Sequence, residues 1–153
     1  MKSVVIYASH AGNTRRIAEA VARALRTAGP TEVMHAEQVM ALEDDVDLLV
    51  IGGPTEGHGP TPEIKDLVHR IAGTVRGLRA AAFDTRLQWP KLLSGSAAAA
   101  IGASLRASGA RVVLPPESFI VSMKPELLPG EEERATAWGE QLVNRVAELA
   151  IPV

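Results

Sequence analysis

Two short runs limit what this chain can fold into: Ser3–Tyr7 (Ser-Val-Val-Ile-Tyr) and Leu48–Ile51 (Leu-Leu-Val-Ile) are apolar and do not alternate with polar residues. A strand with one face in water alternates apolar and polar positions, so these runs predict strands covered on both faces. After the first come Gly12 and Asn13, then Ile17, Val21, Leu25 and Ala28 at helical spacing, stopped by Gly29-Pro30. A short strand is expected over Glu32–Met34 and a helical turn over Glu37–Leu42, before the acidic loop Glu43-Asp44-Asp45. The second run ends in Gly52-Gly53-Pro54. Thr61 then caps a helix with Pro62 at its first position, Glu63 in its first turn and Ile64, Leu67, Val68 and Ile71 on one face. Arg79–Phe83 reads as a fourth strand, and a helix capped by Ser94 or Ser96 runs to about Ala107. Arg111–Leu114 and Ser118–Val121 read as one strand interrupted by Pro115-Pro116. A last helix begins near Gly130, with Trp138, Leu142, Val146 and Leu149 on one side. Strand and helix thus alternate five times, which predicts a parallel sheet with helices on both faces.

The length of 153 residues fits one domain, spanning 1–153, with a hydrophobic core. No apolar run approaches the roughly 20 residues needed to cross a bilayer, so no membrane role is expected. The N-terminal apolar run is too short for a secretory leader, and a cytoplasmic location is expected. Cysteine is absent, which excludes disulfides, thiolate metal sites and cysteine nucleophiles. A net charge of −2 without a basic stripe argues against a nucleic-acid partner. Glu43, Asp44, Asp45 and Asp47 read as a solvated loop rather than a metal site, and Glu131-Glu132-Glu133 suits the dipole of the last helix.

In such sheets ligands bind beyond the carboxyl ends of the strands, here the loops 8–14, 53–60 and 84–93. The first, Ser9-His10-Ala11-Gly12-Asn13-Thr14, carries the strongest signal. A helix N-terminus has N–H groups without partners and a partial positive charge, and small turn-forming residues let an anion approach them. Arg15 and Arg16 oppose that dipole unless an anion lies nearby. The alternative is an ordinary turn capped by Asn13 or Thr14, with both arginines in solvent. The second loop, Pro54-Thr55-Glu56-Gly57-His58-Gly59, is glycine-rich and leads into a capped helix. In the third, Trp89 lies beside Pro90 off any helical stripe, so it either stacks on a ligand ring or covers the sheet edge.

A strand ending in Tyr7-Ala8, then Ser-x-x-Gly-Asn-Thr, resembles the phosphate loop of the flavodoxin family, as Gly52-Gly53-Pro54-Thr55-x-Gly-x-Gly-Pro resembles its flavin loop. The segments Ala82–Arg86 and Pro116–Glu131 further resemble short flavodoxin-family proteins of actinobacteria. The resemblance implies a flavodoxin-like, doubly wound, five-stranded parallel sheet in the order 2-1-3-4-5. It also implies FMN as cofactor, with its phosphate on Ser9, His10, Ala11, Gly12, Asn13 and Thr14. The isoalloxazine would lie against Pro54, Thr55, Glu56, Gly57, His58 and Gly59, and against Asp84, Thr85, Arg86 and Trp89. Gly57 would be the residue whose peptide flips toward the flavin, a movement only glycine makes cheap. Asp84, Thr85 and Arg86 either bond the pyrimidine edge, or Asp84 and Arg86 pair with each other.

Three residues depart from the family pattern. His10 and Ala11 stand where hydroxyl side chains are usual. Losing the hydroxyl at Ala11 removes one hydrogen bond to a charged oxygen, worth about 1.5–3 kcal/mol; His10 either compensates in part when protonated or, the leading expectation, points into solvent. Glu56 stands where an aromatic is common, and its charge disfavours an anionic reduced flavin. The leading expectation is a small electron carrier with no catalytic residue and no metal, serving a reductase and an acceptor of unidentified kind. Two alternatives stay open: a flavodoxin-like module that has lost FMN and acts in binding or regulation, and an FMN-dependent quinone or flavin reductase.

Overall fold

In the computed structural model, which describes residues 1–151, both apolar runs are central strands. The elements are β1 (Ser3–Tyr7), α1 (Asn13–Leu25), β2 (Thr31–His35), β3 (Leu48–Pro54), α2 (Pro62–Ile71), β4 (Arg79–Leu87), α3 (Lys91–Ser94), α4 (Ala97–Ala107), β5 (Arg111–Val112), β6 (Glu117–Val121) and α5 (Glu131–Ala150). The strands pair in parallel in the order β2-β1-β3-β4-β5, and β6 also pairs with β4. This is the flavodoxin-like order expected. The interrupted last strand is two segments, because neither Pro115 nor Pro116 can donate to the ladder between them. Among the described residues no helix is long and apolar enough to cross a membrane.

Successive side chains of a strand point to opposite faces, and here both faces are apolar. Val4, Ile6, Leu49, Ile51, Ala80 and Ala82 pack beneath α2 and α4. Val5, Leu48, Val50, Ala81 and Phe83 pack beneath α1 and α5. The second core is tightened by Phe83, Phe119 and Trp138, whose rings meet edge to face with centroids 6.0–6.2 Å apart. Trp138 is thus a core residue as its helical stripe predicts, whereas Leu149, placed on the same stripe, is exposed near the end of α5.

Local chemistry moves several boundaries. The helical turn expected over Glu37–Leu42 is a single 3-10 turn at Ala36–Gln38, capped by the His35 side chain. Pro62 occupies the first turn of α2 as expected, but the Thr61 side chain makes no capping hydrogen bond. Ser96 rather than Ser94 caps α4, accepting the Ala99 amide at 3.2 Å. The acidic loop anchors the N-terminus: the Lys2 ammonium pairs with Glu43 and Asp45, and the Lys2 amide donates to Asp47 at 2.7 Å.

α1 and α5 cross closely at Gly139, where a Cβ would fall 2.7 Å from the Ala24 methyl and 2.9 Å from the Val21 carbonyl oxygen. Gly139→Val is therefore expected to destabilise the protein by about 1–3 kcal/mol through overpacking. The check is a lower urea midpoint with an unchanged slope.

Candidate functional site

Parallel strands in register end together, so the segments after β1, β3 and β4 converge at one edge of the sheet. Tyr7 lies level with Gly52, and Gly52 with Phe83. In the first loop Gly12 takes a left-handed φ of +87° and α1 begins at the next residue. Neither Asn13 nor Thr14 caps the helix. The Ser9 hydroxyl closes the turn instead, accepting the Gly12 amide at 3.0 Å. Among the described residues the amides of Ala11, Asn13 and Thr14 find no acceptor in the chain. They form an open cradle at the positive end of α1. The side chains of Asn13 and Thr14 turn inward and are buried. Asn13 Nδ2 donates to the Pro125 carbonyl at 2.6 Å, and the Thr14 hydroxyl bonds the Thr85 hydroxyl at 2.8 Å. Arg16 does not stand free in solvent: it pairs with Glu132 on α5 at 2.8 Å.

The second segment folds into a two-residue hairpin. Glu56 and Gly59 exchange backbone hydrogen bonds of 2.9 and 3.2 Å. Gly57 and His58 between them have φ of +56° and +70°. Positive φ at both central residues is the type I′ arrangement. For His58 it costs on the order of 1 kcal/mol, as for any side chain in that region. The hairpin is held from two sides. The Thr55 amide donates to the Thr85 carbonyl at 2.9 Å, and the Ala97 amide donates to the Thr55 hydroxyl at 2.9 Å. Gly95 lies so close that a Cβ there would meet the His58 carbonyl oxygen at 2.1 Å.

The third segment departs from the loop expected at 84–93. β4 continues to Leu87, so Asp84, Thr85 and Arg86 are strand residues. Asp84 is fully buried and does not pair with Arg86. One of its oxygens accepts the Ser96 hydroxyl at 2.7 Å and the Ala98 amide at 3.0 Å, at the positive end of α4. Arg86 instead donates through Nη1 to the carbonyls of Leu87 and Trp89, at 3.2 and 2.7 Å. Trp89 is 50% exposed.

Two adjoining hollows result. One, of about 150 Å³, lies between His10, Ala11, Thr14, Glu56 and Arg86. The other, of about 200 Å³, lies between Gly57, His58, Trp89 and Leu93. Thr55, Arg86 and Leu87 border both, so the two lie side by side and together form the trough of the site. Asn13, Pro54 and Thr85 also line it, whereas Ser9, Gly12, Gly59 and Asp84 do not border it. Val121 and Pro125 complete one side. Sequence reasoning missed them because they arrive from β6 and the segment after it, and no motif marks them. A larger groove of about 350 Å³ between α2 and α4 meets these loops only at Pro60 and has no anion cradle. The trough is therefore the better candidate site.

His10 is exposed, but its ring does not stand free. Its Nδ1 lies 2.6 Å from Glu56 and its Nε2 lies 3.3 Å from Glu63 at the start of α2. Partial burial opposes charge on the ring, but the two carboxylates outweigh it and raise the pKa above the ordinary 6.5. The first loop is thereby tied to the second. Among the described residues no cluster of three or more acidic or histidine side chains is placed to hold a metal ion.

A family model described as a flavodoxin domain matches residues 4–111. No curated protein matches the sequence. Among solved structures, oxidised flavodoxin 1 from Bacillus cereus is similar, with a TM-score of 0.77 and 25% identity over 94% of this chain and 98% of that one. A flavodoxin from Streptococcus pneumoniae superposes with a TM-score of 0.77 at 19% identity, over 95% of this chain and 99% of its own. Rubredoxin oxygen:oxidoreductase from Desulfovibrio gigas also matches, with a TM-score of 0.77 and 17% identity over 98% of this chain but 37% of its own.

The raised pKa of His10 fixes the sign of a pH effect. The stabilising contact with Glu56 and Glu63 is fully present below pH 6.5 and is lost as pH rises through the higher folded value. An NMR titration of the His10 ring is expected to inflect above 6.5 in the native protein and to move back toward 6.5 in Glu56→Gln. An unmoved inflection would remove Glu56 as the cause.

Proposed function

The chain belongs to the flavodoxin domain family, and we propose that it binds FMN and carries electrons between protein partners. The observation that carries this reading is the cradle of free amides at Ala11, Asn13 and Thr14, opening on a trough bordered by the second loop and the end of β4. A phosphate monoester suits such a cradle, because these amides lack an acceptor in the chain and the helix dipole favours its charge. The lack of hydroxyls at His10 and Ala11 leaves the backbone as the main phosphate ligand. His10, held by two carboxylates, serves to fasten the loops rather than to bind the anion.

The same residues fit a flat ring beyond the phosphate. Trp89 offers a half-exposed aromatic face above the second hollow. Gly57 contributes a peptide free of any side chain, with no atom within 4 Å of where a Cβ would stand. FMN, when bound, supplies one- and two-electron redox chemistry. The protein needs no acid, base or nucleophile for that role. Its part is to hold the phosphate, orient the ring and leave an edge open to a partner.

Addition of the purified protein to micromolar FMN is expected to quench flavin fluorescence, and an absence of binding would overturn the proposal. Thr14→Ala removes the buried hydroxyl that ties the cradle to Thr85, and is expected to weaken FMN by roughly 5-fold, the equivalent of one neutral hydrogen bond of about 1 kcal/mol, while leaving riboflavin affinity nearly unchanged. Trp89→Ala is expected to weaken FMN and riboflavin alike, by about 2–10-fold. Sustained oxidation of NADH with a quinone acceptor by the FMN-loaded protein alone would replace the carrier reading with a reductase.

A further inference from the structure

Among the described residues Arg86 is the one arginine bordering the trough, and it borders both of its hollows. Its position is fixed: Nη1 is held by the carbonyls of Leu87 and Trp89, and the side chain is half-buried at the end of β4. Its Nε is buried and has no hydrogen-bond partner. Among the described residues it forms no ion pair, since Asp84 on the same strand is turned to the start of α4.

The other charges of the trough are matched. Among the described residues Glu56 is the one carboxylate bordering it, and its oxygen lies 2.6 Å from His10. When protonated, His10 offsets that charge and shares its own with Glu63. What remains is the guanidinium, solvated by two carbonyls that orient it without neutralising it. A half-buried cation without a counterion is costly to keep, and the trough is the space beside it that an anion can enter. Arg86 shares the first hollow with the phosphate cradle, but it also borders the second hollow, which the cradle residues do not reach, so its charge extends to the ring as well as to the phosphate.

Resting on the FMN reading above, we propose that Arg86 is the counter-charge for the negative charge FMN acquires in its ring on full reduction, so that the protein holds reduced FMN more tightly than it would without this side chain. The charge is already in place before reduction and needs no rearrangement, which is what makes a fixed cation effective in a site of low dielectric. Glu56 alone would act in the opposite direction. The His10 contact mutes it, and Arg86 sets the balance. The midpoint potential of bound FMN is thereby raised.

The test compares native protein, Arg86→Gln and Arg86→Lys, each loaded with FMN. Dissociation constants for oxidised and reduced FMN are measured anaerobically alongside the midpoint potential. Arg86→Gln is expected to weaken reduced FMN about tenfold more than oxidised FMN, a fall of about 30 mV for a two-electron couple. Arg86→Lys, which keeps the charge and loses the planar fork, is expected to retain most of the native potential. If both variants weaken the two redox forms equally and leave the potential unchanged, Arg86 merely pins the Trp89 segment and the proposal is overturned. A native protein that binds FMN in neither form overturns the FMN reading itself, and this inference with it.

Discussion

At the end of β4, the Thr85 hydroxyl bonds the Thr14 hydroxyl while its carbonyl accepts the Thr55 amide. One residue earlier, the Asp84 carboxylate receives the hydroxyl and amide that start α4. Two adjacent residues therefore hold the first loop, the second loop and the helix after the third. All three connections are buried or nearly so. Hydrogen bonds there are strong in a low dielectric and expensive to leave unmade. The relative position of the loops follows from β4 more than from the loops themselves. Movement in the β4 end would carry the whole trough with it.

This arrangement explains what could and could not be read from residue order. The apolar runs at Ser3–Tyr7 and Leu48–Ile51 announced buried parallel strands because burial on both faces leaves a direct trace in composition. The turn at Ser9–Thr14 was legible for the same kind of reason: a left-handed glycine before a helix is a local necessity. Asp84, Thr85 and Arg86 read as a polar loop because their partners are remote. Thr14 lies 71 residues from Thr85, and Ser96 lies 12 from Asp84. The pairing of His10 could not be read because Glu56 and Glu63 are 46 and 53 residues away. Polar residues lose their sequence signature of exposure when something distant satisfies them.

The family match covers residues 4–111, yet the site depends on residues beyond it. Pro125 receives the Asn13 amide group, Glu132 pairs with Arg16, and Gly139 lets α5 settle on α1. The last third of the chain thus supports the helix whose N-terminus forms the cradle. Phe119 belongs to this support as well, stacked against Phe83 and Trp138 and covered by the Arg134 guanidinium at 4.6 Å.

The placement of the two tryptophans has a practical consequence. Trp138 is 3% exposed inside the core between the sheet and α5, and Trp89 is 50% exposed at the trough. An indole shielded from water emits at shorter wavelength than one that is solvated, so the two signals separate by colour. The blue component reports whether the core is intact, and the red component reports what occupies the trough. The molecule carries its own pair of optical probes, one for folding and one for occupancy, and each can be followed without a label.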